Sequence, residues 1–208
     1  MLNIYITRHG ETQWNTEGRL QGWLNSPLTE KGILQGQKLN HAVKMYDIEK
    51  IYSSPSERAL KTAISAKGKL GVEIELMDEL KEMNMGQWEG KTLAQIKERE
   101  PENFENYWQK PHLFMKNTGE NFDEVLSRTK KALDRIMKEN SSGNVLIVTH
   151  GVTLKAIMSH FSSEGFIEFW TKPVVAQASI SLVRVHDLDK SEILLYGDTR
   201  HFDEMEMK

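Results

Sequence analysis

Two segments of this 208-residue chain carry almost the same message. Ile4-Tyr5-Ile6-Thr7-Arg8-His9-Gly10 lies near the start, and Leu146-Ile147-Val148-Thr149-His150-Gly151 lies about two-thirds of the way along. An Ile/Val-rich run bounded by glycine reads as a buried strand. Two such strands, as parallel neighbours, deliver both histidines to one edge of a sheet, the carboxyl edge where open α/β sheets bind ligands. Arg8 adds a fixed cation to the first copy. Two imidazoles beside a guanidinium suit an anionic phosphoryl group.

The remainder alternates between strand and helix patterns. Strands are predicted at Asn3 to Thr7, Lys50 to Ser53, Val72 to Leu76, Asn144 to Thr149, Ser179 to Val185 and Glu192 to Tyr196. Thr29-Glu30-Lys31-Gly32 opens a helix that runs to about Met45, since Thr followed by an early Glu is an N-terminal signal and Ile33, Leu34, Gln37 and Leu39 continue it. Further helices follow Pro55, Thr92, Glu120 and Gly151. This order predicts an α/β fold, a mainly parallel central sheet with helices on both faces. Only the polar stretch Asp187 to Ser191 separates the last two strands, which predicts an antiparallel hairpin at the sheet edge. Residues 1–208 read as one domain in which 92–119 is a helical, lid-like insertion. It carries Pro101, Pro111, a charged Lys97-Glu98-Arg99-Glu100 turn and the aromatics Phe104, Tyr107, Trp108 and Phe114. Those rings either roof the site or pack the insertion onto the body.

Several function classes drop out on composition. The chain has no cysteine, which removes disulfides, thiolate zinc sites and every cysteine nucleophile. No stretch approaches the roughly 18 apolar residues of a membrane span, and no basic segment precedes a long apolar one at the start, so a cytoplasmic protein without a membrane partner is expected. A net charge of -3 without a basic stripe argues against a nucleic-acid partner. His9, His150 and His201 lack short ligand spacing, and Arg8 and Arg58 would repel a divalent cation, so no metal is expected. Asp187-Leu188-Asp189-Lys190-Ser191 loosely matches an aspartate-nucleophile pattern, but too little chain follows it to supply the lysine and magnesium-binding acids of that chemistry. It reads as an Asp-rich turn.

Three more segments belong with the histidines. The long loop after Gly10 offers Asn15 and Gln21-Gly22, whose amide and backbone donors suit phosphoryl oxygens. Ser53 to Ala59 places Arg58 in the first turn of a helix beginning at about Pro55, where a cation opposes the helix dipole and is unlike an incidental surface charge. Glu79 to Gly90 carries Glu79, Glu82 and Glu89, one of which can serve as a general acid.

Together these segments resemble the histidine phosphatase superfamily, in its phosphoglycerate-mutase-like branch, from Ile4 to about His201. The signature Arg-His-Gly-Glu-Thr is matched by Arg8-His9-Gly10-Glu11-Thr12. Asn15, Gln21-Gly22, Leu28-Thr29-Glu30 with Gly32, Ser54 to Arg58, Gly86 to Gly90 and His150-Gly151 match further elements in family order. The resemblance implies a metal-independent phosphatase of broad specificity that acts on small phosphorylated metabolites and needs no cofactor. It implies His9 as the phosphorylated nucleophile and Glu82 as the proton donor. Arg8, Arg58 and His150 would form the phosphate pocket, with Asn15, Gln21, Gly22, Gly151 and Val152 beside them.

The chemistry is consistent with those roles. A histidine attacks phosphorus only when neutral, with one ring nitrogen free and the other donating, as to a backbone carbonyl. Arg8, Arg58 and a protonated His150 would stabilise the equatorial oxygens. Glu82, if desolvated by Met83 and Met85, would give its proton to the leaving alkoxide. Cofactor-dependent mutases of the family carry an Arg-Arg-Ser segment in the insertion. Pro101 to Lys116 has no arginine, which favours hydrolysis over the mutase alternative. A noncatalytic phospho-ligand-binding relative would tend to lose the nucleophile or the acid, and both are present here. Gly119-Glu120-Asn121 departs from the common Gly-Glu-Ser, and Gln177 from a common Asn.

Overall fold

The computed structural model describes residues 1–115, 118–162, 169–170, 173–187 and 190–202. Six strands, β1 (Leu2–Arg8), β2 (Lys50–Ser53), β3 (Glu73–Leu76), β4 (Gly143–Thr149), β5 (Ile180–Asp187) and β6 (Lys190–Asp198), form one sheet in the order β3-β2-β4-β1-β5-β6. The first four run parallel. β5 pairs antiparallel with β1, and β6 pairs antiparallel with β5 at the edge.

The two apolar runs sit at the centre because both their faces are covered. Ile4, Ile6, Val145 and Ile147 pack against Ala132, Leu133 and Ile136 of α6 (Phe122–Glu139) and Leu154, Ile157 and Met158 of α7 (Gly151–Ser159). Tyr5, Leu146 and Val148 face the opposite way, onto Leu39, Ala42 and Val43 of α2 (Glu30–Met45) and Ala59, Ala63 and Ala66 of α3 (Glu57–Lys67). A strand buried on both faces has no room for polar alternation, which is why each run reads as continuously apolar. Burying roughly 1.5 to 3 kcal/mol of transfer free energy per large side chain there anchors the whole sheet.

Caps mark the helix starts. The Thr29 hydroxyl accepts from Gly32 N at the start of α2, as its sequence predicts. Asn121 caps α6 in a reciprocal box with Glu124, so the asparagine that departs from the family pattern is as competent a cap as serine. Four local expectations are corrected. The helix expected from Pro55 begins at Glu57, with Ser56 at the cap position. The Lys97–Arg99 segment expected as a turn is the end of α4 (Leu93–Arg99), which is followed directly by α5 (Pro101–Gln109) because proline fits a first helical position. The loop after Gly10 contains a single helical turn, α1 (Gln13–Thr16), closed by a Thr12–Asn15 capping box. The hairpin strands reach Asp187 and restart at Lys190, so much of the expected turn is strand. Leu188 and Asp189 lie outside the described residues. Among the described residues no helix is long and apolar enough to cross a membrane.

The start of α2 presses on the backbone just beyond His9. A Cβ added at Gly32 would fall 2.0 Å from Glu11 O, and one at Gly10 would fall 2.4 Å from Gly32 O. Gly32→Ala must therefore push α2 away from the Gly10–Glu11 backbone. The expected cost is about 1 to 3 kcal/mol, read as a lowered urea midpoint at unchanged slope.

Candidate active site

The β1–β4 register pairs Arg8 with Thr149, so the next residue on each strand, His9 and His150, leaves the sheet beside the other. His9 N donates to Thr149 O at 2.8 Å, and the two imidazoles meet edge to face with centroids 5.2 Å apart. His9 Nδ1 lies 2.7 Å from Gly10 O. A carbonyl only accepts, so the proton is assigned to Nδ1 and the lone pair to Nε2. Both rings are buried. Burial first, then the Arg58 and Arg8 charges, hold His9 well below the usual histidine range. His150 is held down by burial, then by Arg58, His9 and the more distant arginines. A cation at His150 would be buried among cations, which favours its neutral form in the protein without phosphate.

Arg58, on the first turn of α3, is 1 % exposed. Its guanidinium is held by backbone carbonyls, Nη2 to Gly22 O at 2.7 Å and Nη1 to Leu24 O at 2.8 Å. Glu57, a conceivable ion-pair partner, goes instead to Lys61 and Asn25. Burial lowers Arg58 to about 10, with Glu82 opposing and Arg8 adding to that shift, so it stays charged at neutral pH. Arg8 donates through Nη1 to Val175 O at 3.0 Å. The nitrogens Arg8 Nε, Arg58 Nε and His150 Nδ1 are buried without hydrogen-bond partners, as is Gln21 Oε1. Two of these, Arg8 Nε and Arg58 Nε, are cationic donors, and buried donors left open among the described residues are unusual.

Glu82 sits where α7 begins. Its Oε2 accepts Val152 N at 3.2 Å, and Oε1 accepts Met83 N at 2.9 Å, Thr153 N at 3.2 Å and the Thr153 hydroxyl at 3.2 Å. The Val152 N–H, expected for phosphate, thus holds the acid. Met85 lines the cavity with Glu82, and both Met83 and Met85 are buried in a core cluster with Trp88, Tyr107 and Phe122. Of the two rival acids, Glu89 is spent on backbone N–H groups, and neither it nor Glu79 lines the cavity. A Cβ placed on Gly151 would meet both Arg8 Cζ at 3.6 Å and Glu82 Oε2 at 3.8 Å, so cation and acid flank the same glycine.

A cavity of about 310 Å³ opens over these groups and includes Arg8, His9, Asn15, Arg58, Glu82 and Gly151 in its wall. Gln21, Gly22 and Val152 line it too, while His150 stands behind His9 with no exposed surface. Asn15 Oδ1 is committed to Thr12, which leaves its amide nitrogen as the available donor. The insertion contributes Tyr107 and Trp108 to the wall, and Phe104 and Phe114 to the aromatic cluster behind it. Both readings of those rings therefore hold.

Three supporting residues escaped the sequence reading. The Ser54 hydroxyl is 2.8 Å from His150 Nε2. The Thr62 hydroxyl donates to Arg58 O and accepts Gly10 N at 3.0 Å, which locks α3 to the loop that follows His9. Arg128 of α6 donates to Glu79 O and Lys81 O, both at 2.7 Å, and pairs with Glu120, so it clamps the segment that carries Glu82. Ser54 lay inside a quoted motif; Thr62 and Arg128 carry no local signal at all.

The family model described as histidine phosphatase superfamily, branch 1, matches residues 4–199. This chain belongs to that superfamily. The histidine phosphatase is 32% identical to the metal-independent phosphoserine phosphatase of Arabidopsis thaliana, over 97% of this chain and 83% of the relative. It is 31% identical to phosphoglycerate mutase-like protein 4 of the same plant, over 97% and 87%. Among solved structures, Bacillus stearothermophilus YhfR superposes with a TM-score of 0.92 at 38% identity, covering 97% of this chain and 99% of that one.

The two buried histidines make stability depend on pH. Each is neutral when folded and takes a proton near 6.5 when unfolded, so their contribution is complete above that value and is lost as pH falls toward the lowered folded values. The thermal midpoint should fall on acidification below about 6.5. His150→Phe should make that fall less steep, a comparison that differential scanning calorimetry from pH 8 to 5 reads directly.

Proposed function

We propose that this histidine phosphatase hydrolyses small phosphomonoesters through a phosphohistidine on His9, with no metal and no cofactor. The observation that carries the reading is a neutral imidazole, its Nδ1 tied to Gly10 O and its Nε2 free, set among buried cationic nitrogens that lack partners. A phosphoryl group seated there has three oxygens for Arg8, Arg58 and Asn15, and His150 Nδ1 adds a fourth donor if the ring is protonated on that nitrogen.

In the first half-reaction the Nε2 lone pair attacks phosphorus as the ester P–O bond breaks, and the leaving oxygen takes the proton of the Glu82 carboxyl group. Positive charge on the phosphorylated ring is eased by the Nδ1–H bond to Gly10 O. In the second, Glu82 takes a proton from water as that water attacks phosphorus, and the P–N bond breaks to restore the free lone pair. A Cβ on Gly151 would lie within 4 Å of both Arg8 and Glu82, which supports a proton donor and a phosphate anchor acting on one group. Burial, and then the charges of Arg58 and Arg8, lower His9 and so keep it nucleophilic in mildly acidic solution.

Among the cavity residues, those supplied by the insertion are Tyr107 and Trp108, neither of which is a cation. A mutase needs the phosphorylated enzyme to hold its bisphosphorylated intermediate and to exclude water. With aromatic walls and no arginine between Pro101 and Lys116, water is the acceptor we assign. Phosphoserine and 3-phosphoglycerate head the substrate panel because the relatives' names point to that chemistry.

Inorganic phosphate release from such a panel should survive EDTA and vanish in His9→Ala. Arg58→Ala should lower kcat by about 10² to 10³. EDTA-sensitive turnover, or a His9→Ala protein that still releases phosphate, would overturn the reading. Isomerisation of 3-phosphoglycerate outpacing phosphate release would make the protein a mutase instead.

A further inference from the structure

Glu89 lines no part of the cavity, yet its carboxylate joins the two segments on which the site depends. Oε1 accepts Trp23 N at 2.8 Å and Met85 N at 3.1 Å, while Oε2 accepts Leu24 N at 3.1 Å. The first segment, Gly22 to Asn25, is the carbonyl cage of Arg58. Met85 belongs to the second, three residues beyond Glu82. Trp23 adds a further tie between them, its indole Nε1 donating to Glu82 O at 2.9 Å, with the Lys81 ammonium 5.1 Å from its ring centroid.

Two details show that a carboxylate is built into this place. Gly22 has φ +51, and a Cβ there would fall 2.1 Å from Glu89 Oε1, so the turn is left-handed and bare where the carboxylate passes beneath it. An ionised carboxylate also accepts at both oxygens, whereas a glutamine would offer one oxygen and turn its own N–H groups toward one of the backbone donors. Three N–H groups from two chain segments are therefore satisfied by one side chain and by no other residue type of the same length.

We propose that Glu89 is a positioning residue that holds the phosphate anchor Arg58 and the proton donor Glu82 in one frame, so that both reach the same phosphoryl group. This rests on the roles assigned above to Arg58 and Glu82. Two separate readouts follow, one for each end of the strap. Loosening the Glu82 end penalises substrates whose leaving oxygen needs a proton. Loosening the Arg58 end weakens the grip on any tetrahedral or trigonal oxyanion.

The experiment compares Glu89→Gln and Glu89→Ala with the native enzyme on 2,4-dinitrophenyl phosphate, whose phenolate departs unprotonated, and on 3-phosphoglycerate, whose alkoxide does not. Inhibition by inorganic orthovanadate is measured in parallel. Both variants should lose about tenfold more activity on the alkyl ester than on the aryl ester, and should bind vanadate several-fold more weakly. Equal losses on the two esters with unchanged vanadate inhibition would overturn the proposal and leave Glu89 a stabiliser of its loop. Should the Glu89 variants fail to fold, Trp23→Phe removes the indole tie alone. It should show the leaving-group effect in smaller degree with vanadate binding intact, and no such effect would also overturn the proposal. Glu82→Gln is the control: if it lacks leaving-group dependence, the proton-donor assignment is what fails, and the vanadate arm still judges the Arg58 end.

Discussion

The parallel pairing of β1 with β4 is the contact on which everything else here depends. It places Arg8 opposite Thr149 and thereby sets two imidazoles side by side at the sheet edge. A slip of one residue would turn every side chain of one strand to the opposite face and break both core clusters at once. The same register that buries Ile4, Ile6, Val145 and Ile147 on one face therefore sets the geometry of the reactive pair. Core packing and site geometry are here a single constraint.

Charge is handled at the site by an uncommon choice of partners. Arg58 is almost fully buried and its guanidinium is bound to carbonyl oxygens. Carbonyls satisfy the N–H groups without cancelling the charge, so a positive field persists in the cavity. Burial first, and that field after it, lower His9 and His150. Had Arg58 paired with Glu57, the field would weaken and the imidazoles would be easier to protonate.

The candidate site residues stood out in the sequence because each follows a readable strand or opens a readable helix. His9 and His150 end apolar runs, and Arg58 opposes a helix dipole without cause unless a ligand balances it. The sheet and its order of strands and helices were equally legible, since the central strands β1 and β4 are covered on both faces and carry continuous apolar runs. Helix and strand ends moved by a few residues where one backbone bond decides them, as at Ser56 and Lys190. What stayed hidden was side chains acting through distant backbone. Arg128 grips carbonyls 47 and 49 residues away, and Thr62 meets Gly10 N across 52 residues. Neither leaves a spacing to detect. The lowering of His150 is hidden for a related reason, since burial depends on the whole fold and not on its neighbours in sequence.

The bond from Asn3 to Asn144 spans 141 residues, and β1 is flanked on one side by β4 and on the other by β5, both of which follow it in sequence. During synthesis β1 therefore emerges long before either neighbour exists. It must wait, apolar and with both edges unpaired, until the intervening 141 residues have left the ribosome. Closure of such distant pairings is slow, and unpaired apolar strands invite association with other chains. The step that sets the two histidines together is therefore also the step at which a nascent chain is most in need of a chaperone.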